Sequence, residues 1–219
     1  MKLKVCGMGV NVSEVAELRP DYLGFIFWEP SARFFDKTIP DIVKNIPKVG
    51  VFVDASISEI QSKVKSYDLQ AIQLHGKESP AYCASLKEKL NEDQPLVKLI
   101  KVFSVNKDFD FDELLPFEEL CDFFLFDTKG KLPGGNGYHF DWTMLKNYPS
   151  QKSFFLSGGI GPDDFDKISE FLKSPQAKYC HALDINSKFE EQPGMKRIPE
   201  IKEFLKKILS INKKKNYEL

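Results

Sequence analysis

The sequence predicts a single-domain α/β protein, a closed (β/α)8 TIM barrel, on three observations. Short apolar runs recur from end to end, and amphipathic stretches fill the gaps between them. The alternation reaches eight, which suits a chain of 219 residues near the lower length of that fold.

The strands are expected at about Leu3–Cys6, Tyr22–Phe27, Lys48–Val53, Ala71–His75, Val97–Phe103, Phe123–Asp127, Ser153–Ser157 and His181–Ile185. Each is short and nearly continuous in apolar or β-branched residues. None shows the in/out alternation of a half-exposed antiparallel strand, so they read as parallel strands covered on both faces.

Helices are expected between them, because parallel strands need crossover connections. Ser56-x-x-Glu59 forms a capping box before Ile60 and Val64. Ser79-Pro80 supplies a cap and a first-turn proline ahead of Tyr82 to Leu90. Asp141 caps a short helix through Leu145, and Gly161-Pro162-Asp163 opens one carrying Phe165, Ile168 and Phe171. Pro199 starts the last, with Ile201, Phe204, Leu205 and Ile208 on one face. No composition break marks a second domain. The barrel takes residues 1–210, and 211–219 form a polar tail. An open doubly wound sheet is the competing architecture. It would usually place Gly-x-Gly-x-x-Gly after the first strand, and Gly7-Met8-Gly9 lacks the third glycine.

Charge and composition narrow the function. With 31 basic and 32 acidic residues the net charge is −1, which gives no pull toward nucleic acid or an anionic membrane. The run Lys213-Lys214-Lys215 reads as solvated tail. No apolar run reaches the ~18–20 residues of a membrane span, and the N-terminus enters a strand without a leader-like segment. A cytoplasmic protein with reduced thiols is expected. Cys6, Cys83, Cys121 and Cys180 are too scattered for a zinc site or disulfide framework, and the last three read as core thiols.

In such a barrel, chemistry collects at the C-terminal ends of the strands. Cys6 ends strand 1, His75 strand 4 and Asp127 strand 6; Asp184 lies at the end of strand 8, and Arg33 in the loop after strand 2. A helix start or an exposed turn could explain any one aspartate, but two acids and a thiol at the same rim are harder to dismiss. Arg33 reads either as a surface arginine or as a bidentate clamp for a substrate carboxylate. His75 reads as a neutral rim histidine bonded to a neighbouring loop in preference to a catalytic group. Gly134-Gly135-Asn136-Gly137, Gly158-Gly159 and Asn186-Ser187 follow strands 6, 7 and 8. They read as turns or as phosphate-binding loops, the latter favoured after strands 7 and 8.

Taken together, these residues resemble a known family. The series runs Lys4-Val5-Cys6-Gly7-Met8, Ser31-Ala32-Arg33-Phe34, Ile72-Gln73-Leu74-His75-Gly76, Leu125-Phe126-Asp127-Thr128, Gly134-Gly135-Asn136-Gly137, Leu156-Ser157-Gly158-Gly159-Ile160, Leu183-Asp184-Ile185-Asn186-Ser187 and Glu190 to Lys196. In this order and spacing it is similar to the phosphoribosylanthranilate isomerases of tryptophan biosynthesis. The resemblance implies a (β/α)8 barrel needing no metal or cofactor, acting on a small phosphoribosyl substrate by an Amadori rearrangement. It implies Cys6 as general base, Asp127 as general acid and Arg33 at the anthranilate carboxylate. The phosphate would be held by Gly134, Gly135, Gly137, Gly158, Gly159, Asn186 and Ser187, with His75 and Asp184 also on the substrate.

Gly9, Ala32, Asn136, Lys188 and Arg197 depart from the family's usual pattern. The chemistry asks for an Asp127 carboxyl raised by its surroundings and for a Cys6 thiolate. No cation at the rim is identified from sequence for that thiolate. Two other readings remain: the histidine-pathway sugar isomerase, which uses an aspartate on strand 1, and a non-catalytic phosphosugar-binding barrel. Oligomeric state is left open.

Overall fold

A computed structural model describes residues 1–128 and 142–217. Eight strands close into a parallel barrel in sequence order: β1 (Lys2–Val5), β2 (Tyr22–Ile26), β3 (Lys48–Phe52), β4 (Ala71–Leu74), β5 (Lys98–Val105), β6 (Phe123–Thr128), β7 (Phe154–Leu156) and β8 (Cys180–Ile185). All eight expected strands are present, and pairing of β1 with β8 settles closure against the open sheet.

The connecting helices α1 (Val12–Glu17), α2 (Ile57–Tyr67), α3 (Pro80–Asp93), α4 (Phe165–Phe171) and α5 (Ile198–Tyr217) follow β1, β3, β4, β7 and β8. Short 3-10 turns at Asp41–Val43, Phe111–Phe117 and Trp142–Asn147 serve after β2, β5 and β6. The caps act as their chemistry requires. Ser56 accepts from the Glu59 N–H at 3.2 Å and Ser79 from the Tyr82 N–H at 3.2 Å, each satisfying a first-turn donor. Ahead of α4, Asp164 accepts instead from the Gly161 N–H at 2.8 Å. The expected Asp141 cap and the segment Gly134–Gly137 lie outside the described residues.

Strand side chains alternate between two cores. Outward residues such as Leu3, Val5, Phe25, Phe124 and Phe126 join Ile60, Leu86, Ile168, Ile201 and Phe204 of the helices. Inward residues Val49, Ala71, Ile100, Val102, Leu125, Phe155 and Ala182 plug the lower barrel. Cys83, Cys121 and Cys180 are buried, as expected of core thiols.

One element was not expected. After β8, Glu190–Gln192 (β9) and Met195–Lys196 (β10) form an antiparallel hairpin around Pro193-Gly194. Asn11 pins it to the loop after β1: its side chain donates to the Lys196 carbonyl and accepts from the Lys196 N–H, both at 2.9 Å. That contact brings the hairpin's charges over the barrel mouth.

Candidate active site

The period of two along a strand builds this site. Lys4 of β1 and Cys6 just beyond it point inward, as do Gln73 and His75 at β4, Asp127 on β6, and Asp184 and Asn186 at β8. Above the apolar plug the interior positions become polar, and a cavity opens over them. Its lining includes Cys6, Gln73, His75, Asp127, Asp184, Asn186 and Ser187. Ile26, Trp28, Val51 and Val53 form an apolar wall, while Ser157, Gly159 and Lys188 lie on the same lining.

Cys6 is 4% exposed and its N–H donates to the Ile185 carbonyl at 2.9 Å, which fixes the thiol beside β8. Its other neighbour is Gly24 of β2. A Cβ at Gly24 would lie 2.7 Å from the Cys6 sulfur, so only glycine leaves room for the thiol there. Burial pushes the Cys6 thiol above its ordinary value, and Asp184 adds to that, while Lys4 and Lys196 oppose it. These two lysines are the cations that the sequence did not reveal.

Lys4 is fully buried. Its ammonium donates to Gln73 Oε1 at 2.6 Å and to Asp184 Oδ2 at 2.9 Å. Burial alone would lower it, but Asp184 and Cys6 more than offset that and hold it above the usual lysine value. The Asp184 carboxyl is pushed up by burial and by Asp127, against the pull of Lys4. Its second oxygen is buried without a hydrogen-bond partner among the described residues.

Asp127 stands on the far wall, 8% exposed, with Oδ1 accepting from the Thr128 N–H at 2.9 Å. Its Oδ2 lies 3.4 Å from His75 Nε2, and the other ring nitrogen of His75 lies 3.4 Å from Gln73 Nε2. His75 therefore faces Asp127 and not a neighbouring loop, contrary to the expectation for it. The inward pleat of β4 decides this, since it carries Gln73 and His75 to the same side.

Arg33 sits at the edge of the mouth and is neither a free surface arginine nor an open clamp. Its Nε and Nη2 donate to Glu190 Oε2 at 2.9 and 2.6 Å. Glu190 also accepts from Lys196 Nζ at 2.7 Å, and Lys196 Nζ reaches Asn186 Oδ1 at 2.9 Å. Burial would raise the Glu190 carboxyl, but Arg33 and Lys196 hold it below the usual range. Arg33 thus presents one edge to Glu190, leaving the Nη1 edge for a second carboxylate.

After β7, Gly158 and Gly159 have φ of +91° and +77°, a left-handed pair that glycine enters at little cost. Gly159, Asn186 and Ser187 share the cavity with Cys6 and Asp127.

The residues missed in sequence each left a signal. Lys4 and Gln73 are polar exceptions inside apolar strands, two positions before Cys6 and His75. Trp28 lies just beyond β2, on the expected rim. Glu190 and Lys196 flank Pro193-Gly194, a turn signature that predicts a hairpin.

Comparison with known proteins shows the family. A family model for N-(5'phosphoribosyl)anthranilate (PRA) isomerase matches residues 3–207. The N-(5'-phosphoribosyl)anthranilate isomerase of Parabacteroides distasonis is 39% identical over 217 residues, covering 95% of this chain and 94% of its own. The crystal structure of phosphoribosyl anthranilate isomerase from Thermotoga maritima is 28% identical with a TM-score of 0.75, covering 94% of this chain and 98% of that one. Another crystal structure of a phosphoribosyl anthranilate isomerase, in complex with reduced 1-(o-carboxyphenylamino)-1-deoxyribulose 5-phosphate, is 25% identical with a TM-score of 0.71 and covers 94% of this chain and 97% of that one. The match runs from β1 into α5 and takes in every wall of the mouth. Over that span and at that identity, the chain belongs to the N-(5'-phosphoribosyl)anthranilate isomerase family.

Proposed function

We propose that this chain, acting in the cytosol as a step of tryptophan biosynthesis, converts N-(5'-phosphoribosyl)anthranilate to 1-(2-carboxyphenylamino)-1-deoxyribulose 5-phosphate. Cys6 is the general base and Asp127 the general acid. One observation carries the reading: a thiol and a carboxyl face a common cavity from β1 and β6 in a chain of this family.

The two groups suit the two proton transfers of an Amadori rearrangement. Asp127 gives its proton to the ribose ring oxygen as the C1'–O bond breaks, which leaves an iminium at C1'. The iminium acidifies the C2' hydrogen, Cys6 removes it as thiolate, and the resulting enolamine becomes the ketone. An acid and a base on opposite walls can act on the two sides of one bound sugar. His75 lies beside that carboxyl, with Nε2 3.4 Å from Oδ2, and Asp184 offers its unpartnered oxygen to a sugar hydroxyl.

The remaining groups bind. Gly158, Gly159, Asn186 and Ser187 hold the phosphate through backbone N–H groups and short polar side chains, together with Gly134, Gly135 and Gly137. The anthranilate ring lies along the wall of Ile26, Trp28 and Val51, with its carboxylate on the free edge of Arg33. Fluorescence of phosphoribosylanthranilate, lost on turnover, tests the reading directly. Purified protein should consume it, and Asp127→Asn should lower kcat by about a hundredfold or more. No turnover by the unaltered chain, with phosphate-ester binding intact, would leave only a binding barrel.

A further inference from the structure

The thiolate required by this mechanism needs a positive charge beside Cys6, in a part of the barrel closed to solvent. We propose that Lys4 is the counter-ion of the Cys6 thiolate, a positioning residue that acts on the reaction through Cys6. The inference rests on the assignment of Cys6 as base.

The geometry is that of one strand face. Cys6 directly follows β1 and stands two residues after Lys4, so both project into the barrel, and the charge of Lys4 favours a thiolate there. A lysine ammonium has three donors. Here one goes to Gln73 Oε1 and one to Asp184 Oδ2, which leaves a third donor for a thiolate at Cys6. Lys4 is 0% exposed, so water does not screen its charge from the thiol.

The other charged groups around Cys6 leave this task to Lys4. Asp184 of β8 disfavours a thiolate. Lys196 of β10 favours it, but its ammonium is hydrogen-bonded to Glu190 and Asn186. Arg33 is paired to Glu190, while Asp127 and His75 lie together across the cavity. With all of them ionised, Lys4, Lys196 and Arg33 against Asp184 and Glu190 give 3 − 2 = +1. One negative charge, that of a Cys6 thiolate, is therefore matched at this end of the site before substrate binds. The neighbour that Lys4 can serve is Cys6.

The test is the pH dependence of Cys6 alkylation by iodoacetamide in the full chain, followed by mass spectrometry of the peptide that contains it. Lys4→Met should move the midpoint up by about one pH unit or more relative to the unaltered protein. Its kcat should fall at neutral pH with KM little changed, and should recover as the pH rises. A merely structural role would produce no such recovery.

Lys4→Met strands the buried Asp184, so a second pair keeps the test decisive if that variant does not fold. Lys4→Met/Asp184→Asn must titrate at higher pH than Asp184→Asn alone. Coincident midpoints in folded protein, by either route, would overturn the ion pair and leave Cys6 as base untouched. Normal turnover by Cys6→Ser would remove the base and leave the ion pair standing.

Discussion

The two halves of the barrel interior are built by the same strands and the same inward pleat, yet they differ completely in chemistry. The lower half is a plug of Val49, Ala71, Ile100, Val102, Leu125, Phe155 and Ala182. Two residues beyond Ala71, Leu125 and Ala182 on β4, β6 and β8 stand Gln73, Asp127 and Asp184, with His75 just past β4 and Lys4 and Cys6 supplied by β1 and the residue after it. The plug makes no use of polar groups, and the mouth places six buried or half-buried charged side chains, Lys4, Arg33, Asp127, Asp184, Glu190 and Lys196, around one thiol. The contrast shows why the charges can be placed so closely. The floor beneath them is dry and packed, so their side chains cannot sink or relax, and each charge is held by a partner from another strand.

This division can be broken from below. Phe155→Ala removes an inward ring that contacts Tyr22 and Phe123 edge-on, at centroid distances of 5.6 and 5.5 Å. It should cost about 3–5 kcal/mol of stability by urea denaturation. The kcat of the folded fraction should stay within about threefold, because the mouth keeps its partners. A large loss of kcat at unchanged stability would mean that the floor takes part in the chemistry.

A smaller effect sharpens the same contrast. His181, at the start of β8, lies beneath the plug against Phe123, with Nε2 2.8 Å from the Tyr22 hydroxyl. Burial, then the charges of Lys2 and the N-terminus, lower it to about 4. Unfolded, it titrates near ~6.5. Between those values the unfolded chain binds a proton that the folded chain does not, so stability falls as the pH drops through that window. The loss should be on the order of 1 kcal/mol, since the ring is half-buried and partly screened. His181→Phe should flatten the fall in Tm between pH 7 and 5. An unchanged slope would remove His181 as its source.

The plug was easier to read in the sequence than the mouth. Apolar runs announce strands wherever they occur, and Leu3–Val5 or Phe123–Phe126 need no tertiary context to be legible. Closure was favoured by the count of eight and by the missing third glycine after β1, and the pairing of β1 with β8 decided it against the open sheet. The ends Cys6, Asp127 and Asp184 were legible once the strands were placed. Their partners were not. Lys4 drew no reading of its own in the sequence, and its partner Asp184 is 180 residues away in the chain. Arg33 looked free because Glu190 reaches it only through the hairpin that Asn11 pins down. Charge pairing across a barrel is a property of register, and register between β1 and β8 is set by closure, not by local pattern.

The central claim is that the mouth serves chemistry and the plug serves stability, with Cys6 as the base. It is tested most directly by the kcat of Cys6→Ser, followed by loss of substrate fluorescence. The serine hydroxyl is isosteric but far less acidic, so kcat should fall by about a thousandfold or more while the urea midpoint stays near that of the unaltered protein. Turnover within tenfold of the unaltered chain would contradict it.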